Sequence, residues 1–101
     1  MAMIYVAHDY SAQEPNVIRA LEITKRLQKR DLSNCYVCPV VMFGGLHNAI
    51  SEEEELALRI DLLSVCDVLL IGASRGSFID REIEFARLVG MEVKYDEGRN
   101  L

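Results

Sequence analysis

No segment of this sequence is long and apolar enough to span a bilayer. The longest nearly apolar stretch, Cys35 to Phe43, is broken by Pro39 and falls far short of the ~20 residues a membrane helix needs. The opening MAMIYVA lacks the basic segment of a secretory signal, so a cytoplasmic protein is expected. Positive charge is scarce too: 11 Lys and Arg against 16 Asp and Glu leave a formal charge of −5. That balance opposes any binding that begins by neutralising a phosphate backbone or an anionic leaflet, and excludes nucleic acid and membrane as expected partners. Repeats, linkers and low-complexity stretches are missing. The two histidines, His8 and His47, have no second CxxC or HxxxH partner, so neither a zinc site nor any other metal or cofactor is expected.

Cysteine is also too sparse for a disulfide scaffold. Three cysteines leave at least one thiol unpaired in a monomer, which suits a reducing compartment. Cys35 and Cys38 spell CxxC, but the string reads as strand, where an odd spacing sends the two side chains to opposite faces. Cys35, Cys38 and Cys66 are therefore expected to be small core hydrophobes.

What the chain does have is enough apolar material for one core. Its 101 residues, half of them hydrophobic, fit a single domain over 1–101 at roughly 100–200 residues per domain. Strand-like and helix-like segments alternate at the ~30-residue spacing of βαβ units. Met3 to Ala7 reads as a first strand. A helix follows from a capping-box pair, Ser11 with Glu14, with Pro15 in its first turn and an apolar face of Val17, Ala20, Leu21, Thr24 and Leu27. Tyr36 to Val41 reads as a second strand ended by Gly44-Gly45, and the segment to Ile50 as loop.

Ser51 with Glu54 repeats the capping-box spacing. The acidic run Glu52 to Glu55 is explained as a helix start, and Leu56, Ile60 and Leu63 supply the apolar face. Val68 to Ile71 is continuously apolar, as befits a central parallel strand covered on both faces. A third main helix carries Ile79, Ile83 and Ala86 to a stop at Gly90, and Met91 to Tyr95 closes the sheet. Right-handed crossovers then predict an α/β fold: a three-layer α/β/α sandwich around a flavodoxin-like parallel sheet of about four strands, order 2-1-3-4. So small a sheet leaves an open edge and a shallow cleft, and a homo-oligomer is expected.

In such sheets ligands bind beyond the carboxyl ends of the strands, where the strand order reverses. Three loops meet there: His8-Asp9-Tyr10, the Met42 to His47 region with Gly44, and Gly72 to Ser77. The last contributes Gly72, Ser74, Arg75, Gly76 and Ser77 and runs into a helix N-terminus, whose free N–H groups and dipole favour an anion. Its string matches neither the Walker nor the dinucleotide fingerprint. Glu82 sits in the first turns of that helix, while Glu84 points about 200° away, so only one of the two can face the cleft.

Three strings, MIYVAHDY, SVCDVLLIG and REIEFARLVGMEV, resemble the pattern of the nucleoside 2-deoxyribosyltransferase-like superfamily, which includes 2′-deoxynucleoside 5′-phosphate N-hydrolases and short domains from bacterial and phage genomes. The resemblance implies a catalytic glutamate in an E-hydrophobic-x-x-A string, matched by Glu82-Ile83-Glu84-Phe85-Ala86, with Tyr5 as the tyrosine beside it. It further implies that Ser74, Ser77 and the loop glycines form a 5′-phosphate stretch. The expected activity is cleavage or transfer at the N-glycosidic bond of a 2′-deoxynucleoside or its 5′-monophosphate, through a glycosyl-enzyme intermediate. The alternative is a non-catalytic sensor or sequestering protein for a nucleotide-derived ligand.

The chain also departs from the pattern. Gly76 stands where the transferases have an aspartate six residues before the glutamate. Arg59, with Asp61 two residues off register, stands near a second family aspartate, which leaves Asp9 or Asp80 to protonate the departing base.

Overall fold

The computed structural model describes residues 1–8, 14–43, 49–72 and 76–95, with 14–16 described in backbone only. Four strands, β1 (Met3–Ala7), β2 (Cys35–Val37), β3 (Val68–Ile71) and β4 (Glu92–Tyr95), form one sheet in the order β2-β1-β3-β4. Every pairing is parallel, with Tyr5 opposite both Val37 and Leu69. The expected α/β architecture and its 2-1-3-4 order are therefore what the chain adopts.

The helices are α1 (Glu14–Arg30), α2 (Pro39–Phe43), α3 (Glu52–Ser64) and α4 (Ser77–Leu88). From β1 the chain crosses to one side of the sheet and from β3 to the other, so a constant crossover hand puts α1 and α4 on opposite faces. Strand alternation completes the layering. Val6 packs with Ala20, Ile23, Leu27 and Val40 of α1 and α2, whereas Tyr5 and Ala7 pack with Leu63, Ile79, Ile83 and Ala86 of α3 and α4. No helix among the described residues is long and apolar enough to cross a membrane.

Both ends of the α3–α4 segment follow their local sequence. Ser51 accepts from the Glu54 amide and the Glu54 side chain accepts from the Ser51 amide, the reciprocal capping box. At the far end Gly90 takes φ +75°, its amide bonds Arg87 O at 3.3 Å, and the Met91 amide bonds Ala86 O at 2.8 Å. That is a Schellman closure, which requires a residue at ease in the left-handed region.

Three expectations need correction. The second strand stops at Val37 instead of reaching Val41, because Pro39 has no N–H for the ladder and serves as the first residue of α2, where that N–H would be unpaired anyway. Leu21 is 41% exposed, and the inward stripe of α1 is Ala20, Ile23 and Leu27. The buried face of α3 is not purely apolar: Glu55 and Arg59 lie on it with Leu63, while Leu56 and Ile60 are half-buried. All three cysteines are free; Cys38 and Cys66 are buried and Cys35 half-buried. Ser11, the expected cap of α1, lies outside the described residues.

A polar hub holds the turn that feeds β2. Asp31 Oδ1 accepts from the Ser33 amide (3.1 Å) and hydroxyl (2.6 Å), and Oδ2 accepts from Asn34 Nδ2 (2.9 Å) and the Tyr36 hydroxyl (2.7 Å). Gln28 Nε2 donates to the carbonyls of Asp31 and Asn34, and Gln28 Oε1 accepts from the Tyr36 amide.

Candidate active site

Glu82 lies in the second turn of α4, on the stripe of Ile79, Ile83 and Ala86 that packs against the sheet. Tyr5, the middle residue of β1, points to the same layer because odd positions of that strand face α3 and α4. Both side chains are 0% exposed, and the Tyr5 hydroxyl donates a hydrogen bond to Glu82 Oε2. Glu82 Oε1 is buried with no hydrogen-bond partner among the described residues. Removal from water pushes the Glu82 carboxyl up to about 8, since burial penalises the charged form.

Most buried carboxylates are saturated with donors, because an uncompensated charge in a core is costly. This one, among the described residues, has one oxygen held by Tyr5 and the other without a donor. Glu84 is exposed on the far side of α4.

The Ala7–Ile71 pairing brings His8 and Gly72 out side by side at the carboxyl ends of β1 and β3. His8 is buried there. Gly76 is the N-cap of α4 and, having no side chain, leaves the helix without a side-chain cap; exposed Ser77 opens the first turn. Asp9, Tyr10, Gly44, Ser74 and Arg75, also expected at the site, lie outside the described residues. Asp80 is on the exposed side of α4, about 200° around from Glu82, and Asp61 is exposed on α3, so neither shares the direction of the buried pair. Among the described residues no cluster of three or more His, Cys, Asp or Glu could hold a metal ion.

Sequence reasoning passed over the charged pair next door. Glu55 Oε2 accepts from Arg59 Nε at 3.1 Å and lies 3.1 Å from a terminal guanidinium nitrogen, and both side chains are enclosed. The Arg59 guanidinium sits 4.8 Å from the centre of the Phe78 ring, one turn before Glu82 on α4. The signal was the i,i+4 spacing inside EEEELALRI, masked by the sufficiency of a helix-start explanation for the acids.

The fold is similar to that of the 2-desoxiribosyltransferase from Leishmania mexicana, with a TM-score of 0.66 over 94% of this chain and 16% sequence identity. This chain spans 63% of the length of that protein. No protein-family model matches the sequence, and no curated protein does. At that identity the likeness is one of fold alone.

Proposed function

We propose that this chain cleaves or exchanges the N-glycosidic bond of a 2′-deoxynucleoside or its 5′-monophosphate, with Glu82 as nucleophile. The observation that carries this reading is the enclosed Tyr5–Glu82 pair with one carboxylate oxygen uncommitted. In its ionised form Glu82 attacks C1′ through Oε1 while Tyr5 holds Oε2. The C1′–N bond breaks, the base departs with the electron pair and takes up a proton, and water or a second base then displaces the carboxylate from C1′.

His8, Asp9, Tyr10 and Gly44 would line the ligand on the β1 side. Gly72, Ser74, Arg75, Gly76 and Ser77 would receive its 5′ end at the start of α4. We place the protein in the cytoplasm, as a homo-oligomer.

The test is incubation with a panel of deoxynucleosides and their monophosphates, followed by chromatography for free base. Release by the wild type and its loss in Glu82→Gln supports the reading. Equal release by both proteins overturns it. A thermal shift with these ligands but no release would instead favour the sequestering alternative, for which a carboxyl neutral at pH 7 speaks.

A further inference from the structure

The mechanism above leaves the buried Glu55–Arg59 pair without a task. Burying two charges costs several kcal/mol of hydration, and an apolar pair of similar volume is often as stable or more so. Stability alone therefore gives weak grounds for a fully enclosed guanidinium at this place. Its surroundings supply a better one. Arg59 is anchored on its own helix by Glu55, one turn earlier, and α3 is itself fixed at its start by the Ser51–Glu54 box. A second contact of the guanidinium is the face of Phe78, the second residue of α4. Phe78 and Glu82 are one helical turn apart, so whatever seats the Phe78 ring also sets the azimuth and depth of the Glu82 carboxyl. The N-cap of α4, Gly76, makes no side-chain cap hydrogen bond.

We propose that Arg59 is a positioning residue for the reacting pair: clamped by Glu55 and stacked on Phe78, it holds the first turn of α4 against α3 and so keeps Glu82 in register with Tyr5. This rests on the assignment of Tyr5 and Glu82 as the reacting groups. A planar guanidinium suits the task, because it can pair with a carboxylate at its edge while presenting its face to a ring. Among the described residues, the ionisable groups on the elements packed around Glu82 include Tyr5 and His8 from β1 and its end, the buried Glu55 and Arg59 and the exposed Glu52, Glu53, Glu54 and Asp61 from α3, the buried Cys66 after it, and the exposed Asp80, Arg81, Glu84 and Arg87 of α4.

The test is the double variant Glu55→Leu/Arg59→Met, which removes both charges together and leaves no unpaired ion in the core. Phe78→Leu is a second variant that removes only the ring face. Two readouts are taken. In the first, the Glu82 titration midpoint is obtained from the pH dependence of unfolding, each variant being measured with and without Glu82→Gln. In the second, kcat and KM for base release are measured on the best substrate of the panel.

With the clamp gone, water reaches Glu82, and its midpoint falls by about one unit or more toward that of an ordinary glutamate. The kcat falls about tenfold to a hundredfold, as expected for a misplaced nucleophile, with KM little changed. Phe78→Leu moves both readouts the same way by less. Unchanged midpoint and kcat in both variants, whatever happens to melting temperature, would make the pair purely structural and overturn the proposal. If the wild type releases no base, the assignment of Glu82 as nucleophile fails, yet the titration arm still decides whether Arg59 positions it.

Discussion

Two tyrosines on neighbouring strands each donate to a carboxylate, and the two acids are driven in opposite directions. Asp31 receives Tyr36, Ser33 and Asn34 together at the rim of the molecule, and these donors hold it well below the usual carboxylate range. Glu82 receives Tyr5 inside the core, with its other oxygen unpartnered, and burial drives it up to about 8. The chemical pairing is the same; what differs is access to water and the number of donors. A carboxylate surrounded by donors at the surface fastens a turn, and one enclosed with a single donor holds a proton that neutral water would remove. The face of the sheet under α3 and α4 therefore encloses an acid that keeps its proton, and the turn into β2 holds one that is ionised.

The sharpest way to break this contrast is Glu82→Gln. Because the folded state keeps a proton that the unfolded chain sheds from about pH 4.5 upward, the wild type should lose stability as pH rises from there to about 8. The loss is of order 3–5 kcal/mol at its fullest, and the variant should lack it. Denaturant unfolding at pH 5, 7 and 9 checks this, and a flat wild-type profile would remove the idea of a buried neutral acid. For the same reason kcat/KM for base release should rise with pH toward a midpoint near 8, reporting the free protein.

Tyr5→Phe sharpens the comparison from the donor side. It removes the hydroxyl that favours the ionised form, so the Glu82 midpoint should move higher still, and base release at pH 7 should drop by about tenfold or more. Kinetics and the stability profile of the variant, measured side by side, test both statements.

Asp31→Asn acts on the other pair. The Tyr36 phenol, pushed up to about 12 by its burial and the Asp31 charge, should titrate closer to 10, as read by ultraviolet absorbance. Asp31 contributes stability above its unfolded value near 3.8 and loses it as pH falls below. The melting temperature of the variant should therefore be lower than that of the wild type at neutral pH, and the difference should close in acid. Base release should stay at the wild-type level. The smallest effect belongs to Glu84→Gln, whose exposed side chain should change stability by no more than about 0.5 kcal/mol and leave base release intact.

Much of the fold was legible because it rests on local rules. The continuous apolar run Val68 to Ile71 announced a central strand, Ser51 with Glu54 announced a helix start, and Gly90 announced a stop, each realised through its expected hydrogen bonds. The opposite fates of Glu82 and Glu84 were legible too, from helical period alone. Tyr36 to Val41 misled because a β-branched run outweighed Pro39 in the middle of it, although a residue without an N–H suits a helix start better than a ladder. Leu21 misled because neighbouring positions on a helix compete for the edge of one stripe, and only packing against the sheet decides between them.

The sequence by itself determined the alternation of elements, the parallel sheet and its order, since hydrophobic period, capping residues and crossover handedness leave few other ways to bury these faces. It also determined that only one glutamate of the pair could turn inward. The tertiary structure alone decided that the inward glutamate meets Tyr5, 77 positions earlier in the chain, and that it does so out of reach of water. It alone turned Glu55 from one acid in a solvated run into the buried partner of Arg59. Proton affinity depends on solvation and on neighbours brought from distant parts of the chain, and neither is a property of a residue's local sequence.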